Sequence, residues 1–339
     1  MIKFEYLIIL LLAILFLGFF VKIKDKIGNF FKVLDIPKKN KIHEKVTPLI
    51  GVFPLIIVSF ILLFYFNIIN EANNVFFIFI YSYLFFILGY LDDRFNLNAY
   101  LKLGISLIIT LIATSLIESF LINKIYIESI NKIIILDKIT IFFSVLCILL
   151  LINSLNLIDG INGLASGFAT VWLLSLSLLS NNENIFMLFL ILSLFMLVNT
   201  FQIINGRYFL GDSGTLFLGC LVGLSTIYTY NIQLTLGNII SVEKIFIFFM
   251  IPGIDMFRLF ITRLLQKKDP FSGDLNHLHH IMIKQFSNNT TLLIYLITFI
   301  STNLLSYFNV INSFLIIIFY LNIYILFIFF SKKKFKNTP

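Results

Sequence analysis

Residues 139–163 read ITIFFSVLCILLLINSLNLIDGING, a long apolar run that passes directly into amide, carboxylate and glycine residues. A helix needs about 20 apolar residues to cross the hydrocarbon core of a bilayer, so the run predicts a membrane-spanning helix with a polar end. The three-residue spacing places Asn153, Asn156 and Asp159 on one face of that helix. Gly160 would then let backbone amides approach a ligand closely. An ordinary helix end does not require three stacked polar side chains, and the pattern therefore indicates a binding or catalytic site.

The remainder of the chain has the same apolar character. Hydrophobic residues make up 59% and charged residues 12% of its 339 residues, whereas a soluble domain carries about 25% charged residues. The composition predicts an all-α polytopic membrane protein with about eleven transmembrane helices and no soluble domain of any size. The predicted spans lie near residues 5–21, 48–69, 75–91, 103–121, 139–155, 164–180, 185–204, 215–231, 240–261, 290–308 and 313–330.

Lysine and arginine predict the orientation of these spans. Of the 25 basic residues, 20 fall at the joints after the odd-numbered spans. Because basic loops stay in the cytoplasm, this side is predicted to be cytoplasmic, with the N-terminus outside and the C-terminus cytoplasmic. All four histidines and every aspartate except Asp137 fall on the same side. Two short β-prone runs near 124–138 predict a small extracytoplasmic β-hairpin.

Two further polar clusters lie at span ends on the predicted cytoplasmic side. Asp92 and Asp93 end the third span; adjacent carboxylates in loops are common, but acids at a helix C-terminus oppose the helix dipole and each other. Residues 211–214, Gly-Asp-Ser-Gly, open the eighth span. Asp212 could simply cap that helix, yet glycines and exposed amides at a positive helix end also suit phosphate and a metal ion. Phe209, just upstream, could stack on a base.

Three histidines occur in the last long cytoplasmic joint, in the order His277-Leu-His279-His280. This spacing could ligate zinc, but the nearby carboxylates suit a hard cation such as Mg²⁺ better. We interpret the histidines as cationic or hydrogen-bonding groups for phosphate, with Arg263 as a fixed positive charge upstream. Lys102 is interpreted as a second phosphate counter-charge, and a lysine that snorkels to the membrane interface is the structural alternative.

Together these groups are typical of phosphoryl transfer. Carboxylate and amide oxygens can hold Mg²⁺ and basic groups can neutralise a pyrophosphate, and such reactions depend mainly on positioning and charge neutralisation. We predict a single integral membrane domain over residues 1–339. Its active site is predicted to be formed by five cytoplasmic loops, at residues 22–47, 92–102, 156–163, 205–214 and 262–289.

The motifs, in this order, resemble those of the polyprenyl-phosphate N-acetylhexosamine-1-phosphate transferases (glycosyltransferase family 4), and within them the WecA-like branch, which is related to MraY. The segment from Asp35 through Pro37 to His43 is similar to the family's Asp-x-Pro segment with a downstream Lys-x-His. The Asp-Asp pair, the Asn-x-x-Asn-x-x-Asp-Gly run, the Gly-Asp-x-Gly run and the His-x-His-His loop follow in register. The resemblance covers nearly the whole chain.

The resemblance implies transfer of a sugar 1-phosphate from a UDP-sugar to undecaprenyl phosphate, with release of UMP, at the start of lipid-linked cell-envelope polysaccharide synthesis such as that of O-antigen. It implies a multi-pass protein of the bacterial inner (plasma) membrane that needs Mg²⁺, with Mn²⁺ as the alternative, and no nucleic acid; a homodimer is compatible with it. By analogy, Asp92, Asp93 and Asp159 would be catalytic, and Asn156 and Asp212 would hold the metal. The implied substrate-binding residues are Lys102, Asn153, Gly160, Asn162, Phe209, Arg263, His277, His279 and His280.

Alternative functions differ in identifiable motifs. The peptidoglycan branch, which transfers phospho-MurNAc-pentapeptide, typically has three consecutive histidines followed by an acid, and here the loop reads His-Leu-His-His. WecA-like bacterial proteins often have Asp where Asn162 stands, which makes a catalytic charge there doubtful. A lipid or sugar transporter would place charges at mid-membrane depth. A CDP-alcohol phosphotransferase would need an Asp-Gly-x-x-Ala-Arg signature, whereas Asp159-Gly160 continues Ile-Asn-Gly-Leu. GlcNAc, GalNAc and a 6-deoxy-HexNAc all remain open as the sugar.

Overall fold

The structure is a computed structural model that describes residues 4–37, 45–68, 73–237, 240–270 and 276–336. Helices dominate it, which confirms the predicted class: the chain is a helical polytopic membrane protein. The helices are α1 (Phe4–Phe31), α2 (Phe53–Tyr65), α3 (Asn73–Phe95), α4 (Ala99–Leu116), α5 (Thr140–Ile158), α6 (Leu164–Leu178), α7 (Glu183–Ile204), α8 (Gly211–Thr235), α9 (Val242–Leu265), α10 (Leu278–Ile283), α11 (Asn288–Tyr307) and α12 (Ser313–Lys336).

Each of the eleven predicted spans coincides with one of these helices, and only α10 is additional. Within the described residues, eight helices are long and apolar enough to cross a membrane. The apolar parts of the other three are shorter, at Phe53–Tyr65, Leu164–Leu178 and Ser313–Phe329. The number of true crossings and the orientation of the chain therefore stay predictions.

Polar caps mark where several helices begin. The side-chain oxygen of Asn98 accepts a hydrogen bond from the backbone of Tyr100 at the start of α4. Asn182 caps α7 in the same way, and Ser287 caps α11. Such caps satisfy backbone N–H groups that have no partner within the helix. The boundaries of these helices are thus encoded locally, in addition to the apolar runs between them.

The predicted hairpin is present. Strand β3 (Lys124–Ile127) pairs antiparallel with β4 (Lys132–Ile135), and Asn131 before β4 adopts a left-handed conformation with φ of 47°. A second sheet consists of two strands of two residues each, β1 (Leu34–Asp35) and β2 (Thr47–Pro48), which precede the hairpin in the chain. The Lys-x-His part of the upstream motif, including His43, lies outside the described residues.

The chain divides into two compact units. The first contains residues 1–122 and 139–232, and its core includes the fully buried Trp172. The second contains residues 123–138 and 233–339. Of the predicted active-site loops, the first four belong to the first unit. The histidine loop at 262–289 belongs to the second, and its residues 271–275 lie outside the described part of the chain. That the chain forms a single domain with one active site stays a prediction.

Candidate active site

Helix α3 holds the beginning of α8 through a carboxylate and a glycine. The two oxygens of Asp93 accept the backbone N–H groups of Asp212 and Ser213, at 2.8 and 2.9 Å. One turn earlier, Gly89 approaches the same backbone so closely that a Cβ would lie 2.5 Å from the Cα of Ser213. A carboxylate at a helix N-terminus is stabilised by both hydrogen bonds and the helix dipole. Asp93, which lies in α3, therefore caps the N-terminus of α8.

The side chain of Asp212 is part of an ion cluster. The ammonium of Lys102 donates to Asp92 at 2.6 Å and to Asp212 at 2.5 Å, and so joins the ends of three helices. The other oxygen of Asp92 accepts the backbone N–H of Leu97 at 2.7 Å. Lys102 therefore faces carboxylates, which rules out the snorkelling alternative for this structure. The cluster brings together three of the residues predicted from sequence.

Asn156 and Asp159, at the end of α5, complete this cluster. The amide of Asn156 donates to Asp212 at 3.4 Å, and its oxygen accepts the hydroxyl of Thr215 at 3.2 Å. Burial and the charge of Asp212 raise the pKa of Asp159 to about 7, so Asp159 is partly protonated at neutral pH. Asn153 instead donates back to the carbonyl of Leu149, one turn earlier in its own helix. Asn156 and Asp159 thus reach the cluster, whereas Asn153, which shares their spacing, does not.

The segment before α8 is fixed by contacts that the sequence analysis missed. Phe209 pairs through its backbone with Pro48 at 2.9 Å and with Gly51 at 2.8 Å. The buried hydroxyl of Tyr208 donates to Asn199 at 2.6 Å, and the amide of Asn199 donates to the carbonyl of Gly51 at 2.7 Å. An asparagine inside an apolar helix was the available signal, because a buried amide needs partners. The network fixes the backbone of Phe209, whose ring is half-buried.

Two predicted substrate-binding residues follow α5. Gly160 is half-buried, and its N–H donates to the carbonyl of Ile158. Asn162 is exposed. Gly163 has φ of +87°, a conformation that favours glycine, at the point where the chain turns into α6. The turn places Asn162 on the surface of the first unit, so contact with a ligand stays a prediction for both residues.

In the second unit, the histidines surround a buried aspartate. Nδ1 of His277 lies 2.9 Å from a carboxylate oxygen of Asp255, and the rings of His277 and His279 stack at 5.4 Å between centroids. His279 is 1% exposed and His280 is half-buried. Burial, and then the neighbouring imidazoles, lower the pKa of His279 to about 3. The lowered pKa favours the neutral form of His279. The predicted role of the histidines, as cationic or hydrogen-bonding groups for phosphate, stays a prediction.

Arg263 lies at the end of α9, at the beginning of the histidine loop. Its side chain is buried, and its guanidinium donates to the carbonyl of Pro270 at 2.9 Å. The contact orders the first residues of the loop. Arginine can bind a phosphate and a carbonyl with different N–H groups, so the predicted phosphate contact is compatible with this position and stays a prediction.

The donor atoms of the first unit fit a hard divalent cation. Asp92, Asp159 and Asp212 supply carboxylates and Asn156 supplies an amide oxygen, the ligand types that Mg²⁺ prefers. The ammonium of Lys102 already lies between two of the carboxylates. The two carboxylates thus already surround one positive charge. The binding of Mg²⁺ at this cluster stays a prediction.

Comparison with known proteins places the chain in a family. Residues 75–230, which include the whole cluster around Asp212, match the model of glycosyl transferase family 4. The chain is also 30% identical over 303 residues, 86% of its own length and 81% of the relative's, to a protein of Bacillus subtilis named probable undecaprenyl-phosphate N-acetylglucosaminyl 1-phosphate transferase. The chain belongs to glycosyl transferase family 4.

Two other relatives carry similar names. A Thermotoga maritima protein named undecaprenyl-phosphate alpha-N-acetylglucosaminyl 1-phosphate transferase is 27% identical over 262 residues, which are 77% of this chain and 76% of the relative. A protein of the same name from Escherichia coli is 26% identical over 294 residues, 81% of this chain and 75% of the relative. The resemblance inferred from the motifs is thereby confirmed at the level of the family.

Proposed function

We propose that this glycosyl transferase family 4 member transfers an N-acetylhexosamine 1-phosphate, GlcNAc 1-phosphate in the first instance, from a UDP-sugar to undecaprenyl phosphate. A phosphate oxygen of the lipid attacks the β-phosphorus of the UDP-sugar, the bond to the α-phosphate breaks, and UMP leaves. The names of the three relatives support undecaprenyl phosphate as the acceptor and GlcNAc 1-phosphate as the transferred group. The observation that carries the proposal is the cluster in which Lys102 joins Asp92 to Asp212 beside Asn156.

The cluster suggests a division of roles. Asp93 and the backbone of α8 hold Asp212 in place, and Asp92 holds Lys102. Once phosphates bind, Lys102 can move its charge from the carboxylates to a phosphate oxygen, since a lysine side chain is flexible. Asp159, with its raised pKa, can exchange a proton near neutral pH. Deprotonation of the lipid phosphate by Asp92 or Asp93 stays a prediction, as do contacts of Asn162 and Phe209 with uridine.

The remaining roles follow the resemblance. By that resemblance, Arg263, His277, His279 and His280 would contact phosphate and sugar. The protein would lie in the bacterial inner (plasma) membrane with these groups facing the cytoplasm, where UDP-sugars are made. The distribution of lysine and arginine supports this orientation.

The test of the proposed function uses membranes that contain the protein, undecaprenyl phosphate, Mg²⁺ and a panel of UDP-sugars. We expect release of UMP with UDP-GlcNAc or another UDP-N-acetylhexosamine, and a lipid-linked product of matching mass. Membranes without undecaprenyl phosphate are the control for hydrolysis. Release of UMP only with UDP-MurNAc-pentapeptide, or with no member of the panel, would contradict the proposal.

Removal of divalent cations should stop the reaction. Mg²⁺ would be held by Asp212 and Asn156, and when bound it neutralises the negative charge of the diphosphate. We expect excess EDTA to reduce UMP release to background and added Mg²⁺ to restore it, with Mn²⁺ as a partial substitute. Full activity in excess chelator would remove the metal from the proposed function while leaving the transfer itself in place.

A further inference from the structure

The carboxylate of Asp255 connects three elements of the second unit. The side chain lies in α9 and is 6% exposed. One oxygen accepts from the guanidinium of Arg258 at 2.8 Å and from the hydroxyl of Tyr324, in α12, at 2.7 Å. The other lies 2.9 Å from Nδ1 of His277, and the backbone N–H of Leu278, at the start of α10, is 3.2 Å from both oxygens. The buried carboxylate of Asp255 thus fixes the position of His277 and Leu278, the first two residues of the histidine motif.

Arg258 reinforces this arrangement from a second direction. Its Nε donates to the hydroxyl of Tyr324 at 2.6 Å, and a terminal nitrogen donates to the carbonyl of Asn276 at 2.6 Å. The backbone on both sides of His277 is therefore hydrogen-bonded to the same group of side chains. Buried networks in which every member has a partner are rigid, and the imidazole of His277 is held at a defined position and angle.

The contacts also determine which nitrogen of His277 carries a hydrogen. A carboxylate that receives hydrogen bonds from an arginine and a tyrosine acts as an acceptor. Nδ1 of His277 must then be the donor, so the neutral ring carries its hydrogen on Nδ1 and its lone pair on Nε2. Among the described residues, Nε2 has no hydrogen-bond partner. Nε2 is the atom that remains for a ligand.

His279 supports the ring of His277 from the side. The two rings are nearly parallel, with an angle of 13° between their planes. Neither nitrogen of His279 has a hydrogen-bond partner among the described residues, and the side chain is buried. A buried ring in this place packs against His277 and cannot replace it as the ring that faces a ligand.

We propose that Asp255 is a positioning residue, which holds His277 as the Nδ1–H tautomer, so that the lone pair of Nε2 can accept a hydrogen bond or a proton from a hydroxyl or protonated phosphate group of the substrate. The inference rests on the proposed function only for the identity of that substrate. Neither Asp255 nor Tyr324 was among the residues predicted from the sequence. An aspartate within a largely apolar stretch of helix was the signal, since acids in such segments are costly and usually functional.

A metal ion is the competing use of the same atoms. Ligand atoms of Asp255, His277 and His279 lie within 4.8 Å of one another. A metal at Nδ1 of His277 would require the lone pair there, and Asp255 would have to share its charge between the metal and Arg258. The short contact between His277 and Asp255 favours a proton between them. A proton between His277 and Asp255 and a metal ion at the same atoms predict different histidine NMR spectra and different amounts of bound metal.

The test uses the full chain, purified in detergent and labelled with ¹⁵N-histidine. The chain has only four histidines, and His277→Gln assigns the signals of His277. We expect the spectrum, recorded above the ordinary imidazole pKa of about 6.5, to have a protonated Nδ1 and an unprotonated Nε2 for His277. In Asp255→Asn the new amide oxygen should face Arg258 and Tyr324, so the NH₂ group faces Nδ1 and the tautomer reverses.

Tyr324→Phe is the matched control, because it removes a partner of Asp255 without touching the contact with His277. We expect it to retain the Nδ1–H tautomer. In the UMP-release assay, Asp255→Asn should lower kcat by about 10²-fold or more with little change in KM, the effect of misplacing a proton-exchanging imidazole. Tyr324→Phe should lower kcat much less.

Three results would overturn the inference. They are a hydrogen on Nε2 of His277 in the unaltered protein, an unchanged tautomer in Asp255→Asn, and one bound zinc or similar ion per chain that Asp255→Asn loses. The first needs no variant and so does not depend on whether Asp255→Asn folds. If the unaltered protein releases no UMP with any UDP-sugar, the proposed function fails, whereas the spectrum still decides the role of Asp255.

Discussion

Asp212→Asn is expected to abolish UMP release, with a loss of at least about 10³-fold. The carboxylate lies at the N-terminus of α8, where it accepts from Lys102 and from the amide of Asn156. The substitution removes the charge that would bind the cation, and a metal-bound or charge-paired oxygen contributes several kcal/mol to a phosphoryl-transfer transition state, at about 1.4 kcal/mol per factor of ten. The measurement is the initial rate of UMP release at saturating UDP-sugar.

Glu183→Gln is the control for this experiment. Glu183 is an exposed carboxylate in the first turn of α7, and the same loss of one charge there should leave the rate unchanged. Folding of both variants can be compared through the fluorescence of Trp172, the single tryptophan, which is fully buried. If folded Asp212→Asn keeps more than a tenth of the activity, Asp212 does not hold the metal or the diphosphate.

Asp93→Asn should cause a comparable loss of UMP release by a different route. Replacing one carboxylate oxygen with an NH₂ group leaves either Asp212 or Ser213 without an acceptor for its backbone N–H. An unsatisfied buried donor costs about 1–3 kcal/mol. The variant should therefore lose both activity and thermal stability, whereas Asp212→Asn should lose activity alone. Full thermal stability in Asp93→Asn would contradict the capping role.

The sequence predicted what depends on local pattern. Apolar runs predicted the eleven helices that overlap the predicted spans, and two short β-prone runs predicted the hairpin at Lys124–Ile135. Motif spacing also brought Asn156 and Asp159 to the correct helix end. Asn153 shares that spacing, but its amide bonds to its own helix, because the outcome depends on which side chains a neighbouring helix offers. Periodicity alone cannot resolve that choice.

Contacts between distant parts of the chain could not be predicted in this way. The sequence around Asp93 does not indicate that its partners are two backbone N–H groups more than a hundred residues away. The spacing of the histidines likewise does not indicate that Asp255 selects the tautomer of His277. Both arrangements depend on how helices pack, so they require the structure. Polar residues inside apolar helices are the sequence feature that indicates where such contacts occur.

Gly89→Ala is expected to destabilise the first unit strongly. A Cβ at Gly89 would lie 2.5 Å from the carbonyl carbon of Asp212 and 2.5 Å from the Cα of Ser213. These are backbone atoms, so they cannot move aside as the end of a flexible side chain can. Overpacking typically costs about 1–3 kcal/mol and occasionally more, which exceeds the gain of about 1 kcal/mol from alanine in a helix. The midpoint of thermal unfolding, followed by Trp172 fluorescence, should fall.

Gly104→Ala is the control that separates the clash with the backbone of α8 from the effect of alanine on helix propensity. Gly104 is also a helical glycine, in α4, and a Cβ there meets nothing within 4 Å. Only the helix propensity changes, and the variant should be as stable as the original protein or slightly more stable. Gly89→Ala should also lose UMP release at temperatures where it stays folded, because any relief of the clash moves the backbone of Asp212. Equal stability and activity in the two variants would mean that α3 does not determine the position of Asp212.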